Sequence, residues 1–163
     1  MKNIDAVRLM AVAVAALVVE MTLLANVAWA GARPDLLVPV VAFAALFAAE
    51  PSHAYGMAWA VGLLRDLGTA GPLGQYALIY LVLAATLASL RPLLFREHPL
   101  TQAAVGGLGA AAAGLASAAC TAAFAGGIPL TLCLARTASS AFATALVAPV
   151  AVTLLSRTRL LVR

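Results

Sequence analysis

Charge is scarce in this chain: ten Lys and Arg and six Asp and Glu stand against a 64 % hydrophobic composition over 163 residues. That balance excludes a soluble globule, which needs far more polar surface to face water. Histidine and cysteine are scarcer still, at two each. His53 and His98 lie at or near predicted loops, no His, Cys or carboxylates cluster at ligand spacing, and no His-Glu-x-x-His occurs, so the residues offer no metal site. No serine sits in a Gly-x-Ser-x-Gly elbow and no Ser or Cys is paired with a base, so the sequence presents no catalytic residue. The chain reads as a non-enzyme with no catalytic, cofactor-binding or metal-binding residues.

What is present is apolar sequence in long runs, with a mean hydropathy of +1.05. The solvent that suits such runs is a lipid bilayer, and a chain of this length holds about four to six spans with no extramembrane domain. Turn signals divide it into six candidate spans at 9–30, 36–49, 54–67, 73–90, 100–125 and 128–155. The expected fold is therefore all-α: a polytopic six-helix transmembrane bundle forming a single membrane domain over residues 1–163. Pro34 suits the first position of the second helix, where its missing N–H has no partner. Segments 36–49 and 54–67 reach only about 21 Å each, which reads as two short spans or a re-entrant hairpin; a hairpin tip would bury Glu50, which favours six spans.

The start of the chain has two readings. Lys2 and Arg8, an apolar run and Ala28-Trp29-Ala30 resemble a cleavable signal peptide, but the run from Leu9 is long, about 33 Å as a helix, and contains Glu20, which favours a retained first helix. The net charge of +4 does not point to nucleic acid, because the cations sit at span ends instead of on one face. They read as orientation signals. Placing both termini in the cytoplasm puts Lys2, Arg8, Arg91, Arg96, Arg157, Arg159 and Arg163 on that side, and leaves Arg33 and Arg65 on the other with Asp35 and Asp66 as neighbours of opposite charge.

Within the spans, Glu20 and Arg136 stand out, since an ionisable group in hydrocarbon costs at least about 2.5 to 3.5 kcal/mol unless it finds water or a partner. Both are placed near the midplane by counting along their segments, which makes them a candidate intramembrane ion pair. Gly106, Ala110 and Gly114 share one face of the fifth span, and Gly109, Ala113 and Ser117 another; both are expected to pack inside the bundle rather than in a dimer. Cys120 and Cys133 flank one turn and read as small apolar fillers or as a pair. Trp29 and Phe95 suit the membrane interface, while Trp59, Tyr76 and Tyr80 pack within spans or line a cavity.

The most specific stretch is Gly62-Leu63-Leu64-Arg65-Asp66-Leu67, followed by Gly71-Pro72-Leu73-Gly74 and a helix containing Tyr80. It is a helix ending in a charged pair, a glycine turn and a return. With Pro34-Asp35-Leu36-Leu37 about thirty residues earlier and a basic loop from Arg91 to Arg96, it resembles the MreD family of rod shape-determining membrane proteins. The resemblance implies structural roles for Pro34, Asp35, Gly62, Asp66, Gly71 and Gly74, with Asp66 organising the turn by capping or by pairing with Arg65. It implies a non-enzymatic scaffold in the bacterial inner membrane, binding MreC and helping couple MreB to RodA and a class B penicillin-binding protein in peptidoglycan synthesis and cell shape. The family is also similar in fold to the substrate-binding subunits of energy-coupling-factor transporters, with a central cavity. The alternative reading is thus a small-molecule-binding membrane subunit of such a transporter.

Overall fold

The computed structural model of the chain describes residues 3–26, 33–69, 71–95, 98–125, 130–157 and 161–162. Six helices follow one another: α1 (Ala6–Asn26), α2 (Leu37–Phe47), α3 (Pro51–Leu67), α4 (Gln75–Leu90), α5 (Pro99–Ala125) and α6 (Leu130–Arg157). A short 3-10 turn at Arg91–Leu93 follows α4. The two-residue strands β1 (Asn3–Ile4) and β2 (Leu161–Val162) pair antiparallel and bring the chain ends together. Apart from that pair the described residues are helical, as expected, and among them three stretches are long and apolar enough to cross a membrane: Gln75–Leu93, Pro99–Ala122 and Thr131–Arg157.

The second helix organises the rest. α2 has 11 residues, which makes it about 16 Å long, half the thickness of a hydrocarbon core. Its residues from Leu37 to Leu46 are all buried, as a helix apolar on every side must be. It packs against each of the other five helices. The segment expected to be a short span or half of a hairpin lies inside the bundle as a strut. Pro39 fits because it sits in the first turn, where an amide has no helical acceptor. The strut ends where Ala48 and Glu50 turn extended, with ψ of 142° and 137°, and Pro51 opens α3 at its first position. Glu50 is exposed there.

Two hairpins enclose this strut. α3 and α4 approach so closely at Gly62 that a Cβ there would stand 2.6 Å from the Ala77 amide and the Tyr76 carbonyl oxygen. α5 and α6 form the second hairpin, with Gly106 against Ala148 and Gly114 against Thr137, while Gly109 receives Val38 of α2 and Leu83 of α4. Both small-residue faces of α5 are thus spent inside the bundle, letting helices approach without side chains between them. α1 packs on α2 and α3. The outward faces of α4, α5 and α6 carry Val82, Leu108, Phe142 and Leu146, all exposed, and Trp59 and Phe95 are exposed as well. Such surface is compatible with lipid and not with water. Trp29 lies outside the described residues.

Candidate functional site

Among the described residues the buried charged side chains are Asp35, Asp66 and Arg91, and each closes a helix end. Asp35 precedes α2, and its Oδ1 accepts the amides of Leu37 at 3.1 Å and Val38 at 3.2 Å. Those amides open the helix and have no acceptor within it. At the other end of α2, Arg91 donates from Nε to the Ala45 carbonyl and from Nη1 to the Ala48 carbonyl, the latter at 3.0 Å. An anion at the N-terminus and a cation at the C-terminus also match the helix dipole. Asp66 ends α3 but serves α4: its oxygens accept the amides of Gly74 at 2.9 Å, Tyr76 at 2.9 Å and Ala77 at 3.2 Å. Gly74 caps α4 with φ of +94°, a left-handed conformation that a side chain disfavours. Gly71 lies in the same turn and does not adopt it.

The end of the bundle away from the chain termini carries a larger assembly around Asp35. Arg65 Nη1 lies 2.8 Å from Asp35 Oδ1 and 3.3 Å from Glu20 Oε1. The Tyr80 hydroxyl donates to the Asp35 carboxylate at 3.2 Å. The Asp35 amide donates to Thr144 Oγ1 at 2.8 Å, and that hydroxyl donates to the Ser140 carbonyl. Glu20 Oε2 accepts the Leu36 amide at 3.2 Å. The Arg65 guanidinium lies over the Tyr76 ring, 4.6 Å from its centroid. Two carboxylates face one guanidinium, and the remaining negative charge is met by three successive amides at the positive end of α2. The assembly joins α1, α3, α4 and α6 through the residue that opens α2.

The expected Glu20–Arg136 pair is replaced in this geometry, and of the two roles expected for Asp66, capping and pairing with Arg65, it takes the first. Glu20 meets Arg65 and not Arg136, because α1 packs on α2 and α3. Among the described residues Arg136 makes no ion pair, and it is exposed. Counting along the helices also moves both away from the middle: Glu20 is in the last third of α1 and Arg136 is two turns from the start of α6. Arg65 pairs with Asp35 instead of its neighbour Asp66, since consecutive residues on a helix point in different directions. Asp35 takes Arg65 and not Arg33, whose carbonyl accepts from Ser140 Oγ at 2.7 Å. Pro34 stands ahead of the helix, whose first residue is Leu37. Cys120 and Cys133 are free thiols.

A cleft of about 340 Å³ opens beside this cluster. Asp35, Arg65 and Tyr76 form part of its wall, with small residues of α5 such as Ala113 and Gly114, and with Cys133, Arg136 and Thr137 of α6. Gln75 donates to Ser117 Oγ at 3.1 Å, and the Tyr76 and Ser117 hydroxyls are 3.1 Å apart, which ties α4 to α5 along one side. Sequence reading passed over Thr144 and Arg91 as site residues. A threonine inside an apolar helix and an arginine beside a proline turn are weak signals until the acceptors opposite them are known.

The arrangement holds helices in place and contains no group of His, Cys, Asp or Glu placed for a metal among the described residues. No curated protein or solved structure matches the chain. The model of rod shape-determining protein MreD matches residues 1–108. That match spans α1 to α4 and therefore Glu20, Asp35, Arg65, Asp66, Tyr80 and Arg91, the side chains that cap the buried strut and lock its neighbours. With this coverage and this use of its charges, the chain belongs to the MreD family of rod shape-determining membrane proteins.

Proposed function

We propose that the protein is a non-enzymatic scaffold of the bacterial cell-elongation machinery, binding MreC and helping couple MreB to RodA and a class B penicillin-binding protein. The observation that carries this reading is the family match over residues 1–108. The architecture supports it, because Asp35, Arg65, Asp66 and Arg91 are spent on closing and joining helices, as suits a rigid platform for other proteins.

The same reading takes residues 1–163 as one domain of the inner membrane, a bundle similar to energy-coupling-factor substrate-binding subunits, with both termini cytoplasmic. Its supports are the basic residues near the chain ends and in the Arg91 to Arg96 loop, and the β1–β2 pair that holds both ends at one side of the bundle. A second reading, a small-molecule-binding subunit of a transporter of that class, draws on the cleft of about 340 Å³.

Co-purification of the tagged full chain from membranes, followed by mass spectrometry, separates the two. The scaffold reading expects MreC among the retained proteins and rounded cells on depletion. Recovery of an ATPase module with a bound small molecule, and no MreC, defeats it.

A further inference from the structure

The cleft beside the ionic cluster has a charge pattern that the scaffold role does not use. Of its serines, Ser117 is engaged by Gln75 and Tyr76, and Ser140 by the Arg33 carbonyl; Thr137 lines it as well. Asp35 accepts at Oδ1 from two amides, from Arg65 and from Tyr80, and at Oδ2 from Tyr80. Arg65, which also lines the cleft, is held by Glu20 and Asp35 through Nη1. Among the described residues that line the cleft, the charged group that makes no ion pair is Arg136, and it is exposed.

The position of Arg136 narrows the ligand class. α6 has 28 residues, about 42 Å, which matches a bilayer including its headgroup layers. Arg136 is the seventh of them, roughly 9 Å from the helix start, near the boundary between headgroups and hydrocarbon where lipid phosphates lie. Exposed Leu132 and Leu134 flank it on the same helix. A guanidinium on a lipid-facing helix at that depth needs an anion or water, and arginine matches phosphate oxygens in charge and geometry.

We propose that the cleft between α4, α5 and α6 binds the phosphate group of a membrane lipid, with Arg136 as its charged ligand. The small side chains of α5, Ala113 and Gly114 among them, leave the room that the headgroup fills. The site lies at the end of the bundle away from the chain termini, so the lipid comes from a single leaflet.

Native mass spectrometry of the full chain in detergent tests this with three probes: dioleoylphosphatidylglycerol, dioleoylglycerol with the same acyl chains and no phosphate, and inorganic phosphate. The phospholipid is expected to be retained and the diacylglycerol not, and Arg136→Gln is expected to weaken retention by about tenfold or more, the worth of a charge-assisted hydrogen bond. Arg157→Gln, at the other end of α6, is expected to leave it unchanged. Arg136 is exposed, so the variant is expected to melt with the wild-type protein in lipid-free detergent, which separates lost binding from lost folding. Equal retention by wild type and Arg136→Gln, equal retention of the two lipids, or binding of inorganic phosphate without the phospholipid, would each overturn the proposal.

Discussion

The two ends of α2 solve the same problem by different means. Its C-terminus is closed by one side chain, Arg91, which follows α4 and reaches the Ala45 and Ala48 carbonyls. Its N-terminus is closed by Asp35, and Asp35 is held by Arg65 of α3, Tyr80 of α4 and Thr144 of α6, with Glu20 of α1 sharing the arginine. One end is a cap; the other is a junction. A cap ties two pieces of chain together, whereas the junction stands or falls with the mutual placement of four helices. The difference teaches that charges buried at a helix end can also fix the topology around it.

The largest effect is expected from breaking the junction at its cation. Arg65→Gln leaves Glu20 and Asp35 buried without their partner, and should lower stability by about 3–5 kcal/mol, read as a lower melting temperature in detergent or loss of folded protein from membranes. Adding Glu20→Gln to it should cost less than the sum of the two single changes, by roughly 0.5–3 kcal/mol. At the simpler end, Arg91→Met loses the bonds to the Ala45 and Ala48 carbonyls, worth roughly 1.5–3 kcal/mol each, but strands no buried charge, and should cost less than Arg65→Gln in the same measurement. A loss at Arg91 equal to that at Arg65 would erase the contrast between cap and junction.

Two smaller effects sharpen it. Gly74→Ala meets no neighbouring atom, since nothing lies within 4 Å of a Cβ at that position, so its cost is the left-handed backbone alone, about 1–2 kcal/mol. An unchanged melting temperature for this variant would mean that the α3–α4 turn relaxes freely. The smallest expected quantity is the coupling between Glu20 and Arg136. A double-mutant cycle with Gln at both positions should return additive losses, within about 0.5 kcal/mol, because Glu20 is engaged with Arg65.

Much of the helical framework was legible beforehand for a simple reason: apolar runs interrupted by Gly and Pro mark helix ends through local chemistry. The six segments correspond to the six helices, and Asp66 and Gly74 were picked out by the glycine block that contains them. The ion pairs were not legible. Arg65 with Asp66 and Glu20 with Arg136 were natural guesses from adjacency and counted depth, yet Arg65 takes Glu20 and Asp35. Which cation meets which anion depends on helix rotation and on which helices are neighbours, and neither is written in a hydropathy pattern.

The sequence by itself determined that this is a helical membrane protein with six apolar segments, because burial in lipid forces the backbone to satisfy its hydrogen bonds within each segment. It also determined where the turns lie, since Gly and Pro act on their own backbone. Only the tertiary structure decided that Leu37–Phe47 is buried among the other five helices. It alone decided that Asp35, Arg65 and Glu20 form one cluster, and that a cleft lined by Arg136 opens beside it. Those outcomes depend on contacts between residues far apart in the chain, whose energies exist only once the helices are packed.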